Sequence, residues 1–274
     1  VFLKDGQPVR QLVQVVKTDS NGKKIYKNID QLQKMVAESC SRLTLEQAGI
    51  HLPPITYSKR YYDMFPEQRR MYNELRTEYR TEFEDGLEIE ADAAITRLLR
   101  LQQVICGYVG TGPGEPIRRI SEKENPRLDL ALEILEDLPH AALVWARFTA
   151  DIDSLCDALG NKCVRYDGKV DNDGRALAKR KFQAGDVQFM VLSEAGAEGL
   201  TLVGAKTTLF YSNDFKLTRR IQKEGRNYRI GQNEPVHVID LVCNGTVDND
   251  IINSLRDKKE IADQLVGDKM KAWL

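Results

Sequence analysis

The chain has almost no net charge, with 40 lysines and arginines against 41 aspartates and glutamates in 274 residues. That balance excludes a global basic field, so any nucleic-acid contact has to come from local patches. No apolar run approaches the roughly eighteen residues that a membrane helix needs, and the start carries no signal-peptide pattern. Cysteine is sparse. Cys40, Cys106, Cys156, Cys163 and Cys243 are scattered without a C-x-x-C, and His51, His140 and His237 stand far apart, so no zinc-type spacing is visible. The thiols read as reduced and mostly buried, which points to a cytoplasmic or nuclear setting. Two phosphate-chemistry signatures are also missing. Gly110 to Gly114 has glycines but no lysine, so no G-x-x-x-x-G-K-[ST] loop exists, and no D-E-x-H-type strand end is present. The first residue is valine, so the chain reads as a fragment or a processed product. Its length leaves ample material for one large domain or two smaller ones.

The chain divides into three stretches: 1–60, 61–120 and 121–274. In the first, Asp19 to Lys24 reads as an exposed turn, and Ile29 to Cys40 as a short amphipathic helix through Leu32, Met35 and Val36. Leu52-Pro53-Pro54 then leads into an alternating segment from Ile55. In the second, Pro66 opens a helix through Met71, Tyr72, Leu75 and Tyr79, whose other face holds Arg69, Arg70, Arg76 and Arg80. Those arginines suit phosphate, or simply a solvated helix face. Glu82 to Asp92 reads as an acidic loop, Ala93 to Cys106 as a helix through Ile95, Leu98, Leu99, Gln102 and Ile105, and Gly107 to Pro116 as a linker or loop. From Asn125 short apolar runs alternate with amphipathic helices, the pattern of a parallel α/β sheet. The predicted strands are 142–146, 162–166, 187–192, 206–211 and 236–242. The predicted helices start at Asn125-Pro126, run over 149–159 (with Thr149 as cap) and 172–184, and close the chain over 247–265.

The stretch Gln222 to Gln232, Q-K-E-G-R-N-Y-R-I-G-Q, is the most informative. Leu217 to Arg229 has helical composition, and the helical period puts Arg219, Gln222, Arg226 and Arg229 on one stripe. Leu217, Ile221 and Tyr228 fall on another that can face a core. Guanidinium forks suit phosphate oxygens in a way that lysine does not. The plain alternative is a solvated face with surface ion pairs. Four predicted strand ends add to the signal, because open parallel sheets collect ligands at their carboxyl edge. They carry Arg147-Phe148-Thr149, Asp167-Gly168-Lys169, the segment Ser193 to Leu202, and Ser212-Asn213-Asp214. Small residues there let a backbone approach phosphate closely, although each alone is an ordinary strand-to-helix turn.

The terminal R-I-G-Q string resembles motif VI of the superfamily-two helicases, in the form found in Swi/Snf-like ATPases. Ala142 to Thr149 is similar to that family's motif IV, and Val164 to Lys169 (with Arg175 and Phe182 behind it) to its next element. Ser193 to Leu202 is similar to motif V. Asn125 to Leu128 resembles the start of the second motor domain, and Asn244 to Asp248 the element after the last strand. The sequence departs from the pattern at Glu198, Thr201, Lys169, Gly225 and Tyr228, while Arg226 and Arg229 are intact.

The resemblance implies an α/β fold, a RecA-like parallel sheet flanked by helices and preceded by a mainly helical N-terminal segment. Residues 1–60 would be the exit from a first motor domain and its linker. The implied activity is ATP hydrolysis within a two-domain DNA translocase, probed against two rivals: a strand-separating helicase and a non-catalytic binding module. The implied roles are Arg226 and Arg229 as arginine fingers, Gln222, Gly199 and Glu198 near the nucleotide, and Arg147, Phe148, Lys169, Ser193 and Gly196 along DNA, duplex by preference. ATP and Mg2+ are the expected cofactors. The metal and phosphate cradle would belong to a first RecA-like domain, which also stands as the expected partner.

Overall fold

The computed structural model describes residues 2–4, 7–9, 16–18, 24–26, 28–39, 45, 47–83, 85, 88–90, 93–110, 117–194 and 199–266. The chain separates into two compact units, one of residues 1–44 with 259–271 and the other of 45–258 with 272–274. The first contains two antiparallel hairpins, β1 (Phe2–Lys4) with β2 (Gln7–Val9) and β3 (Val16–Thr18) with β4 (Lys24–Tyr26), followed by α1 (Ile29–Ser39). The predicted apolar stripe of α1 is open to solvent within that unit, with Leu32 and Met35 both exposed.

The second unit is built on a six-stranded parallel sheet. Its strands are β5 (Ile55–Tyr62), β10 (Ala142–Trp145), β11 (Cys163–Tyr166), β12 (Phe189–Leu192), β13 (Thr207–Phe210) and β14 (Val236–Cys243), in the spatial order β11-β12-β10-β13-β14-β5. Two short hairpins precede most of it: β6 (Arg80–Glu82) with β7 (Glu88–Glu90), and β8 (Tyr108–Gly110) with β9 (Ile117–Arg119). These occupy parts of the stretches predicted as loops. The helices are α2 (Pro66–Thr77), α3 (Ala94–Ile105), α4 (Pro126–Glu136), α5 (Thr149–Leu159), α6 (Asn172–Ala184), α7 (Leu217–Glu224) and α8 (Val247–Val266). Among the described residues no helix is long and apolar enough to cross a membrane.

The central strands β10, β12 and β13 are buried at every position, which explains why they read as continuous apolar runs. One sheet face, through Val144, Val191, Leu209 and Leu241, packs on residues of α2, α3, α4, α5 and the first turns of α8. The other, through Leu143, Trp145, Met190 and Phe210, packs on Phe182 of α6 and on Leu200, Leu202 and Ala205. On α2, Met71, Tyr72 and Leu75 are buried as predicted, and Tyr79 lies beyond the helix at φ 66, exposed. The arginine face of α2 is an ion-pair face: Arg70 meets Glu67 and Glu74, each at 2.6 Å.

Four expectations are corrected. The sixth strand, β5, comes from the stretch 1–60; it pairs in parallel with β14 from Val236↔Ile55 to Cys243↔Tyr62, so the sheet begins well before residue 121. Thr149 is the first residue of α5, not its cap; the capping position is Phe148, which makes no side-chain cap bond. The helix predicted over 217–229 stops at Glu224. Gly225 caps it, its N–H donating to the carbonyls of Ile221 and Lys223, and Arg226 and Arg229 lie on the turns that follow. The core stripe predicted on this stretch is borne out only in part: Leu217 and Tyr228 pack on the core, but the inward face of α7 is rotated towards its charged residues. Ile221 is 44% exposed, whereas Arg220, Lys223 and Glu224 are buried. Charged residues can go inside here because each finds a partner. Arg220 pairs with Asp240 and Glu224, and the Lys223 ammonium sits 5.6 Å from the Trp145 ring. Burial pushes the Lys223 pKa down.

Candidate functional site

The carboxyl edge of the sheet gathers one group of predicted residues. After β12 the chain crosses β10 to build β13, so the ends of β12, β10 and β13 flank the point where the strand order reverses. At the end of β10 the backbone N–H of Arg147 donates to Ser212 Oγ at 2.7 Å, and that hydroxyl donates to the buried Asp151 at 3.1 Å. The exposed Arg147 guanidinium donates to Gln102 Oε1 and lies 5.2 Å from the Phe148 ring. Phe148 is half-buried and meets Tyr108 edge-on at 6.0 Å. At the end of β11, Asp167 accepts from Arg165 at 2.5 Å and from the Lys169 N–H at 3.0 Å. Burial works to raise the Asp167 pKa, but Arg165 and the Lys169 amide outweigh it and hold the carboxyl below its ordinary range. The Lys169 ammonium reaches Asp153 at 2.9 Å, and both face an open cavity of about 320 Å³ shared with Phe148 and Thr149. Ser193 follows β12, its N–H donating to the Tyr166 carbonyl at 3.2 Å. Gly196 and Glu198 lie outside the described residues.

The second group sits on the turns after α7. Arg226 donates through Nε to the Gln222 carbonyl at 3.0 Å and through Nη1 to the Leu200 carbonyl at 3.0 Å. Arg229 Nη1 donates to the same Leu200 carbonyl at 3.4 Å and to Thr201 Oγ1 at 3.1 Å. The backbone joins in, since Leu202 N–H donates to the Arg226 carbonyl at 2.8 Å. Asn227, fully buried, accepts from Thr208 at 2.9 Å and donates to Ala205 at 3.2 Å, while Gln232 donates to Val203 and Ala205. The motif VI turn and the segment 199–205 are therefore one hydrogen-bonded unit. Gly199 is exposed at φ +73 with open space where a side chain would stand, and the Gln222 side chain is exposed.

The structure thus brings Arg226, Arg229, Gln222 and Gly199 together, and Arg147, Phe148, Lys169 and Ser193 along one sheet edge. It does not merge the two groups. Arg219, predicted on the arginine stripe, belongs with the sheet edge, where it pairs with Glu194 and Asp214. Sequence reasoning placed Gln102 on a helix stripe and Asn213 at a strand end, but missed the buried Arg220 and Asp240 and the bonds that join all four. A lone hint was available in Arg220, which stands where an amphipathic helix of this register needs an inward apolar residue.

A parallel sheet with loops at its carboxyl edge and a paired-arginine turn bolted to the loop after β12 defines a helicase-type RecA-like domain. Residues 126–231 match the family described as the helicase conserved C-terminal domain. In sequence the chain is similar to helicase-type proteins of the Swi/Snf-like kind, and residues 126–231 are the part that matches a helicase C-terminal domain. It is 34% identical over 143 residues to the zebrafish (Danio rerio) chromodomain-helicase-DNA-binding protein 1-like, covering 51% of this chain and 14% of that protein. The mouse (Mus musculus) protein of the same name is 26% identical over 251 residues, covering 88% of this chain and 28% of the relative. The chain therefore spans about a quarter or less of the length of these relatives. Its fold is similar to the solved C-terminal part of the Fun30 ATPase domain, with TM-score 0.54, 15% identity, and 79% of this chain and 98% of that one covered.

Proposed function

We propose that this chain is the C-terminal motor half of an ATP-dependent DNA translocase, with Arg226 and Arg229 completing a nucleotide site in a cleft against a first RecA-like domain. The observation that carries this reading is the convergence of both guanidinium groups on the Leu200 carbonyl, which joins the motif VI turn to the loop after β12. Arg229 is held by a carbonyl and a hydroxyl, with no carboxylate partner among the described residues, so it can exchange these acceptors for phosphate oxygens. ATP, once bound in the cleft, supplies the phosphoryl group, and Mg2+ the charge that neutralises it. The metal ligands are assigned to the first domain, in line with the resemblance to two-domain motors.

Gln222, Gly199 and Glu198 line the nucleotide side in this reading. Arg147, Phe148, Lys169, Ser193 and Gly196 form the DNA-facing edge, contacting phosphates of a duplex and reading little sequence. Lys169 must leave Asp153 to do so. A nuclear location accords with relatives named as chromodomain and DNA-binding helicases. The test is steady-state ATP turnover of the two-domain motor. Arg226→Ala and Arg229→Ala each lower kcat by about 10²-fold or more while DNA affinity changes little, and lysine rescues poorly because it loses the bidentate fork. Near wild-type turnover in both alanine variants would refute the assignment.

A further inference from the structure

A continuous set of buried hydrogen bonds runs from the exposed end of β10 to the end of α7. Arg147 Nη1 donates to Gln102 Oε1, and Gln102, 3% exposed on α3, donates through Nε2 to the Asn213 carbonyl at 3.0 Å. Asn213 Nδ2 donates to Asp240 Oδ1 at 2.7 Å. Arg220 Nη1 donates to Asn213 Oδ1 at 2.9 Å and to Asp240 Oδ1 at 2.5 Å, and its Nη2 to Asp240 Oδ2 at 2.8 Å. Its Nε donates to Glu224 Oε1 at 2.6 Å, and the other Glu224 oxygen accepts from Tyr57 at 3.2 Å. Charges balance along the set: Arg147 and Arg220 against Asp240 and Glu224. Arg220 is also fixed over the Phe210 ring at 3.5 Å. Glu224 is the last residue of α7, and Arg226 follows after Gly225 with its N–H donating to the Lys223 carbonyl at 3.2 Å.

We propose that Gln102, Asn213, Asp240 and Arg220 are positioning residues that couple phosphate engagement by Arg147 to the placement of Arg226 and Arg229, an inference that rests on the function proposed above. In the described state Arg147 is committed to Gln102. When a DNA phosphate draws the guanidinium away, a buried amide oxygen loses its donor, and Gln102 must reorient to recover one. Its bond to the Asn213 carbonyl changes with it. The next members are the bidentate Arg220–Asp240 pair and Glu224, which set the roll of α7 against the sheet. The turn at 225–229 continues directly from α7, so a change in roll moves both guanidinium groups relative to a nucleotide. A buried, fully paired set of this kind has few discrete arrangements, which suits it to transmit a two-state change.

The experiment measures ATP turnover of the full-length protein without DNA and at saturating random-sequence duplex, with DNA affinity measured separately. Gln102→Leu removes both bonds at nearly constant volume. The expected result is DNA-free turnover and DNA affinity within about threefold of wild type, and a stimulation by saturating DNA that falls about tenfold, within the ordinary range of coupling between sites. Arg147→Ala loses affinity and stimulation together, and the Arg147→Ala, Gln102→Leu double variant loses no more stimulation than the worse single variant. If Gln102→Leu proves too unstable to assay, Gln102→Asn, which withdraws the amide by one methylene, gives the same readout. Full stimulation in the Gln102 variant, or additive losses in the double variant, overturns the coupling. Arg226→Ala run alongside separates the two failures. If it abolishes turnover while Gln102→Leu keeps full stimulation, only the coupling is wrong; if turnover survives, the motor reading itself is wrong.

Discussion

Asp151 shows how one buried side chain ties stability to the sheet edge. It is 1% exposed at the start of α5, and its carboxyl accepts from the Ser212 hydroxyl that also holds the Arg147 amide. Burial pushes its pKa up to about 6, against the opposing pull of Arg127 and the Ser212 bond. Between about pH 4 and pH 6 the folded chain therefore keeps a proton that the unfolded chain has lost. Stability falls as pH rises through that window, by about 3 kcal/mol for two pKa units. Asp151→Asn keeps an acceptor for Ser212 without the charge, so it is expected to be more stable than wild type at pH 7.5. The advantage shrinks towards zero near pH 4. Urea unfolding at the two pH values measures this, and an equal loss at both would mean that Arg127 keeps the carboxylate ionised. The neighbouring Arg127 is paired with Asp248 and with the Leu241 carbonyl, 1% exposed, and lies 5.3 Å from the Tyr62 ring. The burial of Arg127 was not legible in the sequence, and that of Arg220 only as a hint from its helix register, because composition assigns arginine to the surface and only a partner elsewhere in the chain reverses that.

At the scale of elements, local chemistry decides where helices begin. Asn125 caps α4, its Oδ1 accepting from Leu128 N–H at 3.2 Å while its Nδ2 donates to the Cys106 carbonyl at 3.2 Å. The same side chain leaves no room beside Gly107, which takes φ +92 and where a Cβ would stand 3.0 Å from Asn125 Nδ2. Asn125→Ala should lower stability by about 1–2 kcal/mol, and Asn125→Asp, which keeps the cap but not the donor, should fall between. Denaturant unfolding at neutral pH orders the three; an aspartate variant no better than alanine would assign the whole effect to the Cys106 bond. This start, the helices over 149–159 and 172–184 and the buried strands were readable because periodicity and apolar runs report burial on fixed faces. β5 was not. It showed only as an alternating segment from Ile55; mixing Thr56, Ser58, Lys59 and Arg60 with tyrosines at the edge of the sheet, it gave no sign of which strand it pairs with. The motif VI helix was overextended for a related reason: Gly225 and Asn227 look tolerable in a helix, but Asn227 bonds to Thr208 and Ala205 instead.

For the whole molecule, the core sets what can be removed. Tyr62, Met71, Tyr72, Leu75, Val104 and Ile105 belong to the same cluster as Ala142, Val144 and Leu209, and Val247 N–H donates to Tyr72 Oη at 2.8 Å. A chain starting at residue 121 therefore loses a strand and two helices from one core and should unfold without a cooperative transition, whereas residues 45–274 should retain one. The sequence supplies these arginines without a G-x-x-x-x-G-K-[ST] loop. Gly110 to Gly114 has glycines but no lysine, and no metal-holding cluster exists among the described residues. Arg226 and Arg229 instead spend their donors on Leu200 and Thr201. Phosphoryl transfer depends on positioning and charge neutralisation acting together, and a finger with no positioned γ-phosphate stabilises nothing. The isolated chain is thus expected to release phosphate from ATP no faster with duplex DNA than without it. Phosphate release by the purified chain, with Arg226→Ala as the control for contaminating ATPases, tests this. DNA-stimulated release that vanished in the Arg226 variant would show that two copies complete one another's site, or that this chain holds a phosphate site of its own.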